Sequence, residues 1–190
     1  MSKKEFTKWV NIREIEKLHN LDYPGIYAIA YSSKEIKNKT FEYFYSPKYA
    51  KNYDEDNYID EGIIFIEMTK DRSLRLRLNE FINTVFGIID QHGTGYRFNI
   101  NLCKKMGKKW RNKLYVSIKP FTGYDPSFTS PDLVALDYRE RPLDEKDLEK
   151  WIKQLKCKGD IAKAEYNCFA YHVKKCGILP QFNDMKRTPK

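Results

Sequence analysis

The sequence contains no hydrophobic run that approaches the roughly 18 apolar residues of a membrane helix. It opens with Met-Ser-Lys-Lys-Glu-Phe, which lacks the apolar core of a secretory signal, so we expect an intracellular, cytoplasmic protein. Cysteines are few and form no Cys-x-x-Cys pair, so their spacing indicates neither a zinc site nor a disulfide framework. The four are Cys103, Cys157, Cys168 and Cys176.

Internal repeats and low-complexity segments are also absent, which argues against a repeat array or a disordered chain. What is present is a chain of 190 residues, 41% hydrophobic and 15% aromatic. That length and composition predict one folded domain, with or without appendages, that can bury a core.

Positive charge predominates, with 35 Lys and Arg against 26 Asp and Glu and a net charge of +9. A basic surface favours a polyanionic partner, because phosphate contacts release counterions. We expect nucleic acid, most simply double-stranded DNA. In the densest basic run, one aromatic side chain could stack on a base. A solvated, lysine-rich face is the alternative. The candidate nucleic-acid-binding residues are Lys104, Lys105, Lys108, Lys109, Trp110 and Arg111.

Hydrophobic periodicity defines the elements of the first half of the chain. Residues 5–20 have helical spacing, and two apolar strands are predicted over 25–31 and 62–68. The polar segment 32–57 between these strands reads as an insertion. A further amphipathic helix is predicted over 73–86, where apolar residues again recur at helical spacing.

The second half begins with a segment, 96–101, that fits either a short strand or a helix start. Alternating apolar residues predict a third strand over 113–121. Helices are predicted over 143–156 and 161–176, with Asp160 as the N-cap of the second.

This order of elements predicts an α+β protein with a small three-stranded mixed sheet flanked by helices. We divide the chain into an N-terminal helical segment, a main domain with two insertions, and a basic tail. Their bounds are 1–22, 23–185 with insertions at 32–57 and 102–142, and 186–190.

Phosphodiester hydrolysis requires a base that activates water, a cation that balances the developing charge, a group that steadies the leaving oxygen, and preorganisation of these groups. The candidate residues are Tyr27, Arg77, Glu165 and Asn183. Each has a structural alternative: Tyr27 could be a core aromatic, Arg77 a solvated or snorkelling side chain, Glu165 a solvated helix carboxylate and Asn183 a turn residue. Glu165 lies toward the apolar side of its helix, where a carboxylate needs a partner such as a divalent cation.

These residues follow one another in the order seen in GIY-YIG nucleases. The chain has a Gly-Ile-Tyr step at 25–27, an Arg77-Leu78 step after the second apolar strand, and then Glu165 and Asn183. It resembles the restriction-enzyme-like branch of that superfamily, in which a His-Gly stretch such as that at His92 follows the arginine helix.

The resemblance implies a metal-dependent DNA endonuclease of restriction, mobile-element or phage type. Tyr27 would help activate the water, Arg77 would grip the scissile phosphate, and Glu165 would ligate Mg²⁺ or Mn²⁺. Asn183 would support the active-site geometry. His92 would contact a phosphate or relay a proton, and the alternative is a loop histidine without a role.

The chain departs from the family in its second motif, where Phe65 and Glu67 stand in place of a tyrosine and a glycine. Lys70 could replace the missing tyrosine as a positive group near the water. Glu67 could pair with Arg77 or Lys70, bind the metal, or repel the substrate. These departures motivate an alternative, a catalytically impaired module that binds nucleic acid or a protein partner. A third reading is an unrelated basic α+β domain.

Overall fold

The part of the chain that the structure describes contains one antiparallel sheet of four strands. The computed structural model describes residues 6–36, 38–45, 61–106, 108–123 and 145–183. Within these residues the strands are β1 (Val10–Asn11), β2 (Gly25–Tyr31), β3 (Gly62–Thr69) and β4 (Leu114–Pro120), in the spatial order β1-β4-β2-β3. The α+β class is confirmed. The prediction of a three-stranded mixed sheet is wrong, because β1 adds a fourth strand and every neighbouring pair runs antiparallel.

Three α-helices accompany the sheet in the described part of the chain. They are α1 (Leu74–Phe86), α2 (Gly93–Met106) and α3 (Glu145–Cys176). Helix α1 begins and ends close to the bounds that the sequence predicts, 73–86. The Ser73 hydroxyl accepts a hydrogen bond from the Leu76 N–H, and Gly87 ends the helix in the left-handed conformation.

Three sequence predictions need correction or completion. The helix predicted over 5–20 is wrong: this stretch forms β1 and a short 3₁₀ helix, Ile12–Lys17, from which Ile12 and Ile15 are buried. The helix break predicted at Asp160 is also wrong, because α3 runs through it without interruption. The segment 96–101 is helical and belongs to α2.

Some predicted features fall outside the described residues. They are residues 46–57 of the first insertion, residues 124–142 of the second insertion, and the basic tail 186–190. Just before the first of these, Phe41–Tyr45 form a 3₁₀ helix. In the part of the chain that is described, none of the helices has the length and apolar character required to cross a bilayer.

Both faces of the sheet are covered, which explains why β2 is apolar along its whole length. One face packs against α1 and α2, through residues that include Tyr27, Ile29, Phe65, Leu78, Phe81 and Phe98. The other face packs against α3 and the N-terminal segment, through residues that include Trp9, Ile26, Ala28, Ile66, Ile161 and Cys168. Strand β3 lies at the edge of the sheet, where groups from the two sides of the molecule can meet.

The glycine of the Gly-Ile-Tyr step is required by packing between strands. A Cβ added to Gly25 would lie 2.3 Å from the carbonyl oxygen of Lys119 on β4. Gly25→Ala must therefore push β2 and β4 apart, and we expect the free energy of unfolding to fall by about 1–3 kcal/mol. Urea denaturation measures this change. Gly123→Ala is the control because a Cβ there meets nothing within 4 Å. Equal stability of the two variants would contradict the prediction.

Candidate functional site

Four polar side chains form a cluster on the face of the sheet that α1 covers. Tyr27 and Glu67 are paired across β2 and β3, so their side chains leave the sheet side by side. Arg77 reaches them from α1, and His92 from the segment that leads into α2. The cluster lies beside Phe81, whose ring is 5.1 Å from that of His92, so aromatic core surrounds its inner side.

The carboxylate of Glu67 is the centre of this cluster. Its Oε1 accepts a hydrogen bond from the Arg77 guanidinium at 2.9 Å. Its Oε2 accepts one from the Tyr27 hydroxyl and lies 3.0 Å from His92 Nε2. The Tyr27 hydroxyl oxygen is itself 2.9 Å from His92 Nε2. Three donors from three elements thus converge on one oxyanion.

The orientation of His92 makes it a donor toward this oxyanion. The backbone N–H of Gly95 donates to His92 Nδ1 at 3.1 Å, so Nδ1 is an acceptor and the proton of the neutral ring lies on Nε2. The Thr84 hydroxyl oxygen fixes the backbone here, because it accepts from the His92 N–H at 3.1 Å and the Gln91 N–H at 3.0 Å. Thr84 is thus a positioning residue that sequence reasoning missed.

Burial and charge shift the proton affinities within the cluster. Burial alone raises the pKa of Glu67, but hydrogen bonds from His92, Arg77 and Tyr27 outweigh it and lower the pKa to about 2. Burial, reinforced by the Glu67 carboxylate, raises the pKa of Tyr27 well above its usual value. At neutral pH, Glu67 is therefore an anion and Tyr27 an uncharged donor.

Arg77 connects the cluster to solvent, with about 26% of its side chain exposed. Burial opposes its charge, but the bond to Glu67 keeps the pKa of Arg77 above its usual value. A second nitrogen donates to Glu80 at 3.1 Å, and Arg72 donates to the other oxygen of Glu80 at 2.6 Å. A ligand would therefore approach the cluster from the Arg77 side.

Glu165 and Asn183 bind the free edge of β3 beside the cluster. The Asn183 side chain accepts from the Ile66 N–H and donates to the Ile66 carbonyl, both at 2.8 Å. Glu165 Oε1 accepts from the Met68 N–H at 2.9 Å. Because these bonds use backbone groups that would otherwise be unpaired, both residues protect the edge strand. They also bring Glu165 near Glu67.

Glu165 is a half-buried carboxylate with one oxygen bound to the edge of β3. Burial raises its pKa, and the charge of Glu67 adds to this effect, whereas the Met68 N–H and the charge of Lys70 lower it. Its Oε2 makes no hydrogen bond with any described residue. Mg²⁺ often takes one or two carboxylates and completes its shell with water and phosphate oxygens, so Glu165 fits that pattern. Among the described residues, no group of three His, Cys, Asp or Glu side chains could hold a metal alone.

The basic run contributes less to a binding surface than the sequence predicts. Trp110 is 1% exposed and packs near Phe98, so its burial overturns the suggestion that it stacks on a base. Arg111 is also buried and donates to Asn99 at 2.6 Å, which argues against a phosphate contact. Lys109 is exposed. The side chains of Lys104, Lys105 and Lys108 lie outside the description.

The structure therefore brings Tyr27, Arg77 and His92 into one cluster, with Glu165 and Asn183 at the adjoining strand edge. Lys70 follows β3 and acts on Glu165 through its charge. Of the roles that the sequence allows for Glu67, the observed one is its ion pair with Arg77. Glu67 lies two residues after the buried Phe65, so both side chains point to the same inward face of β3. A carboxylate on such a face requires a partner, and this spacing is therefore the sequence signal for the ion pair.

No protein-family model, curated protein or solved structure matches this chain. The resemblance to GIY-YIG nucleases thus depends on the motif residues alone.

The low pKa of Glu67 predicts a pH-dependent contribution to stability. A group whose folded pKa lies near 2, against an ordinary 4.5, stabilises the fold above the higher value and loses that effect as pH falls toward the lower. At pH 6 we expect Glu67→Gln to lower the free energy of unfolding by roughly 3 kcal/mol, a deficit that shrinks as pH falls toward 2.

Urea denaturation of both proteins between pH 6 and pH 2.5 measures this difference. Glu16→Gln is the matched control, since that exposed carboxylate pairs with Arg75 at 2.7 Å outside the cluster. A deficit for Glu67→Gln that stays constant with pH would show that the carboxylate does not titrate as expected.

Proposed function

We propose that this protein is a metal-dependent DNA endonuclease of the GIY-YIG type that hydrolyses phosphodiester bonds. The observation that carries the proposal is the convergence of Arg77, Tyr27 and His92 on a single oxyanion. A phosphate in a hydrolytic transition state gains negative charge on its oxygens and is stabilised by donors of this kind, held in place before the reaction.

Arg77 is the residue that would hold the scissile phosphate. A guanidinium binds phosphate through two parallel N–H bonds, and Arg77 already uses two nitrogens to bind the carboxylates of Glu67 and Glu80. Its partial exposure leaves it within reach of a polymer that cannot enter the core. Helix α1 is rigid here, because Leu74 and Leu78 anchor it in the core.

His92 and Tyr27 would donate to the same phosphate group or orient the attacking water. His92 is fixed by Gly95 and Thr84, so little reorganisation is needed when the charge develops. Tyr27 can accept the proton of the water only if its own pKa falls, and proximity to Arg77 acts in that direction.

Glu165 would hold Mg²⁺ or Mn²⁺ at the edge of β3. A cation bound there would polarise the phosphoryl oxygen and neutralise charge on the leaving group. The backbone bond from Met68 holds one carboxylate oxygen and leaves the other available. Asn183 keeps β3, and with it Glu67, in place through its paired bonds with Ile66.

Supercoiled plasmid DNA provides the test of this proposal. Conversion to nicked or linear DNA by the folded protein in Mg²⁺ or Mn²⁺, and no conversion in EDTA, is the expected result. If DNA and RNA substrates, single- and double-stranded, all remain intact with both metals, the proposal is wrong.

One observation favours a second function, a nucleic-acid-binding module with impaired catalysis. Glu67 occupies the donors that a phosphate would need, and Phe65 has no hydroxyl to replace the missing tyrosine of the second motif. Electrophoretic retardation of DNA that is never cut, with unchanged affinity in Tyr27→Phe, would support this function over the nuclease.

A further inference from the structure

The donors of the cluster already bind an internal anion. Arg77 binds Glu67 on one side and Glu80 on the other, while Tyr27 and His92 both face Glu67 Oε2. The contacts of Glu67 with Arg77 and His92, at 2.9 and 3.0 Å, have the length of ordinary hydrogen bonds, so the carboxylate fits these donors as a ligand would. The cluster has the form of an occupied oxyanion site.

A phosphate cannot simply be added to this arrangement. Arg77 is already shared by two carboxylates, and a third anion beside it would be repelled by both of them. Glu67 and Glu80 are only 23% and 22% exposed, so water screens this repulsion less than it would at a fully exposed site. The incoming phosphate must therefore take the place of the Glu67 carboxylate.

We propose that Glu67 is an autoinhibitory residue, a built-in anion that occupies the place of the substrate phosphate on Arg77, Tyr27 and His92. Binding of a nucleic-acid phosphate displaces the Glu67 side chain while the β3 backbone stays fixed by Asn183. The proposal rests on the proposed function in one respect, that the displacing anion is a phosphodiester.

Inorganic phosphate is the probe that separates this proposal from DNA cleavage. Its affinity is measured by isothermal titration calorimetry for the wild type, Glu67→Ala and the double variant Glu67→Ala/Arg77→Ala. We expect Glu67→Ala to bind phosphate roughly tenfold more tightly than the wild type, because a charged hydrogen-bonded competitor is removed. The gain should disappear in the double variant.

Glu16→Ala is the matched control, since it removes one negative charge and one of the two ion pairs of Arg75, outside the cluster. It should not increase phosphate affinity by more than about twofold, the scale of a screened surface charge. Glu67→Gln serves as a second variant if Glu67→Ala does not fold, as judged by circular dichroism. Phosphate affinity that is unchanged in the folded Glu67 variant, or raised equally in Glu16→Ala, overturns the proposal.

A parallel plasmid assay distinguishes the two proposals. Tighter phosphate binding by Glu67→Ala, with no cleavage by any variant, would support the internal anion and reject the nuclease. Cleavage by the wild type, with no gain in phosphate binding by Glu67→Ala, would support the nuclease and reject the internal anion.

Discussion

Replacement of Arg77 by alanine is expected to lower the rate of DNA cleavage by roughly 10²–10³-fold, the usual effect of removing one preorganised donor from a site that stabilises developing oxyanion charge. Arg77 is the donor that combines a full positive charge with access to solvent. Its loss would leave Tyr27 and His92 to face the phosphate without a neutralising charge. Single-turnover cleavage of plasmid DNA in saturating Mg²⁺ measures the change.

Arg75→Ala is the matched control for this experiment. Arg75 lies on the same helix two residues earlier and forms comparable ion pairs, with Glu16 at 2.7 Å and Asp22 at 2.8 Å. It points away from the cluster, so its loss should change cleavage by less than about threefold, as expected of an exposed ion pair. Equal losses of activity in the two variants would show that Arg77 contributes only general charge or helix stability.

Folding must be checked separately, because Arg77 also pairs with Glu67 in a partly buried site. Removing it leaves that carboxylate with Tyr27 and His92 as donors but without a cation, which destabilises the fold. Thermal unfolding and circular dichroism should show that the variant is still folded at the assay temperature. The cleavage rates then compare two folded proteins.

The parts of the fold that the sequence predicts well are those with strong local signals. Strand β2 is a continuous apolar run between Pro24 and polar residues, and α1 has both a serine cap and a terminal glycine. Tertiary contacts override the weaker signals. Gly159 and Asp160 suggest a break, yet α3 continues through them because Ile161 and Cys168 are buried against the sheet.

Strand β1 was missed because its two residues owe their conformation to pairing with β4. A pair of residues this short has no periodicity of its own, and the apolar spacing that follows it resembles a helix. The conformation of such a short strand depends on the residues of the partner strand as much as on its own residues.

The candidate site shows the same division between local and non-local information. The order of motif residues identifies Tyr27, Arg77 and His92, and the structure brings them together. Glu67 accepts bonds from all three because the register of β2 and β3 places it opposite Tyr27. The residue pattern of a single strand does not specify this register. The sequence predicts Trp110 at the surface because lysines precede it, whereas the structure shows that its side chain is buried.

Replacement of Glu165 by glutamine is expected to lower the cleavage rate in Mg²⁺ by roughly 10³-fold, since the charge that a bound cation brings to a phosphoryl oxygen contributes several kcal/mol to the transition state. Glutamine retains a carbonyl oxygen that can accept the bond from the Met68 N–H, so the edge of β3 stays protected. The substitution therefore removes the negative charge and preserves the structural contact.

The dependence of the rate on metal concentration distinguishes a ligand from a structural residue. A glutamine oxygen binds Mg²⁺ more weakly than a carboxylate, so the concentration of Mg²⁺ needed for half-maximal cleavage should rise in Glu165→Gln, with partial recovery at high Mn²⁺. Glu149→Gln, at an exposed position of the same helix, should leave both the rate and the metal dependence unchanged. If Glu165→Gln cut DNA with the wild-type metal dependence, the carboxylate would serve only to cap β3.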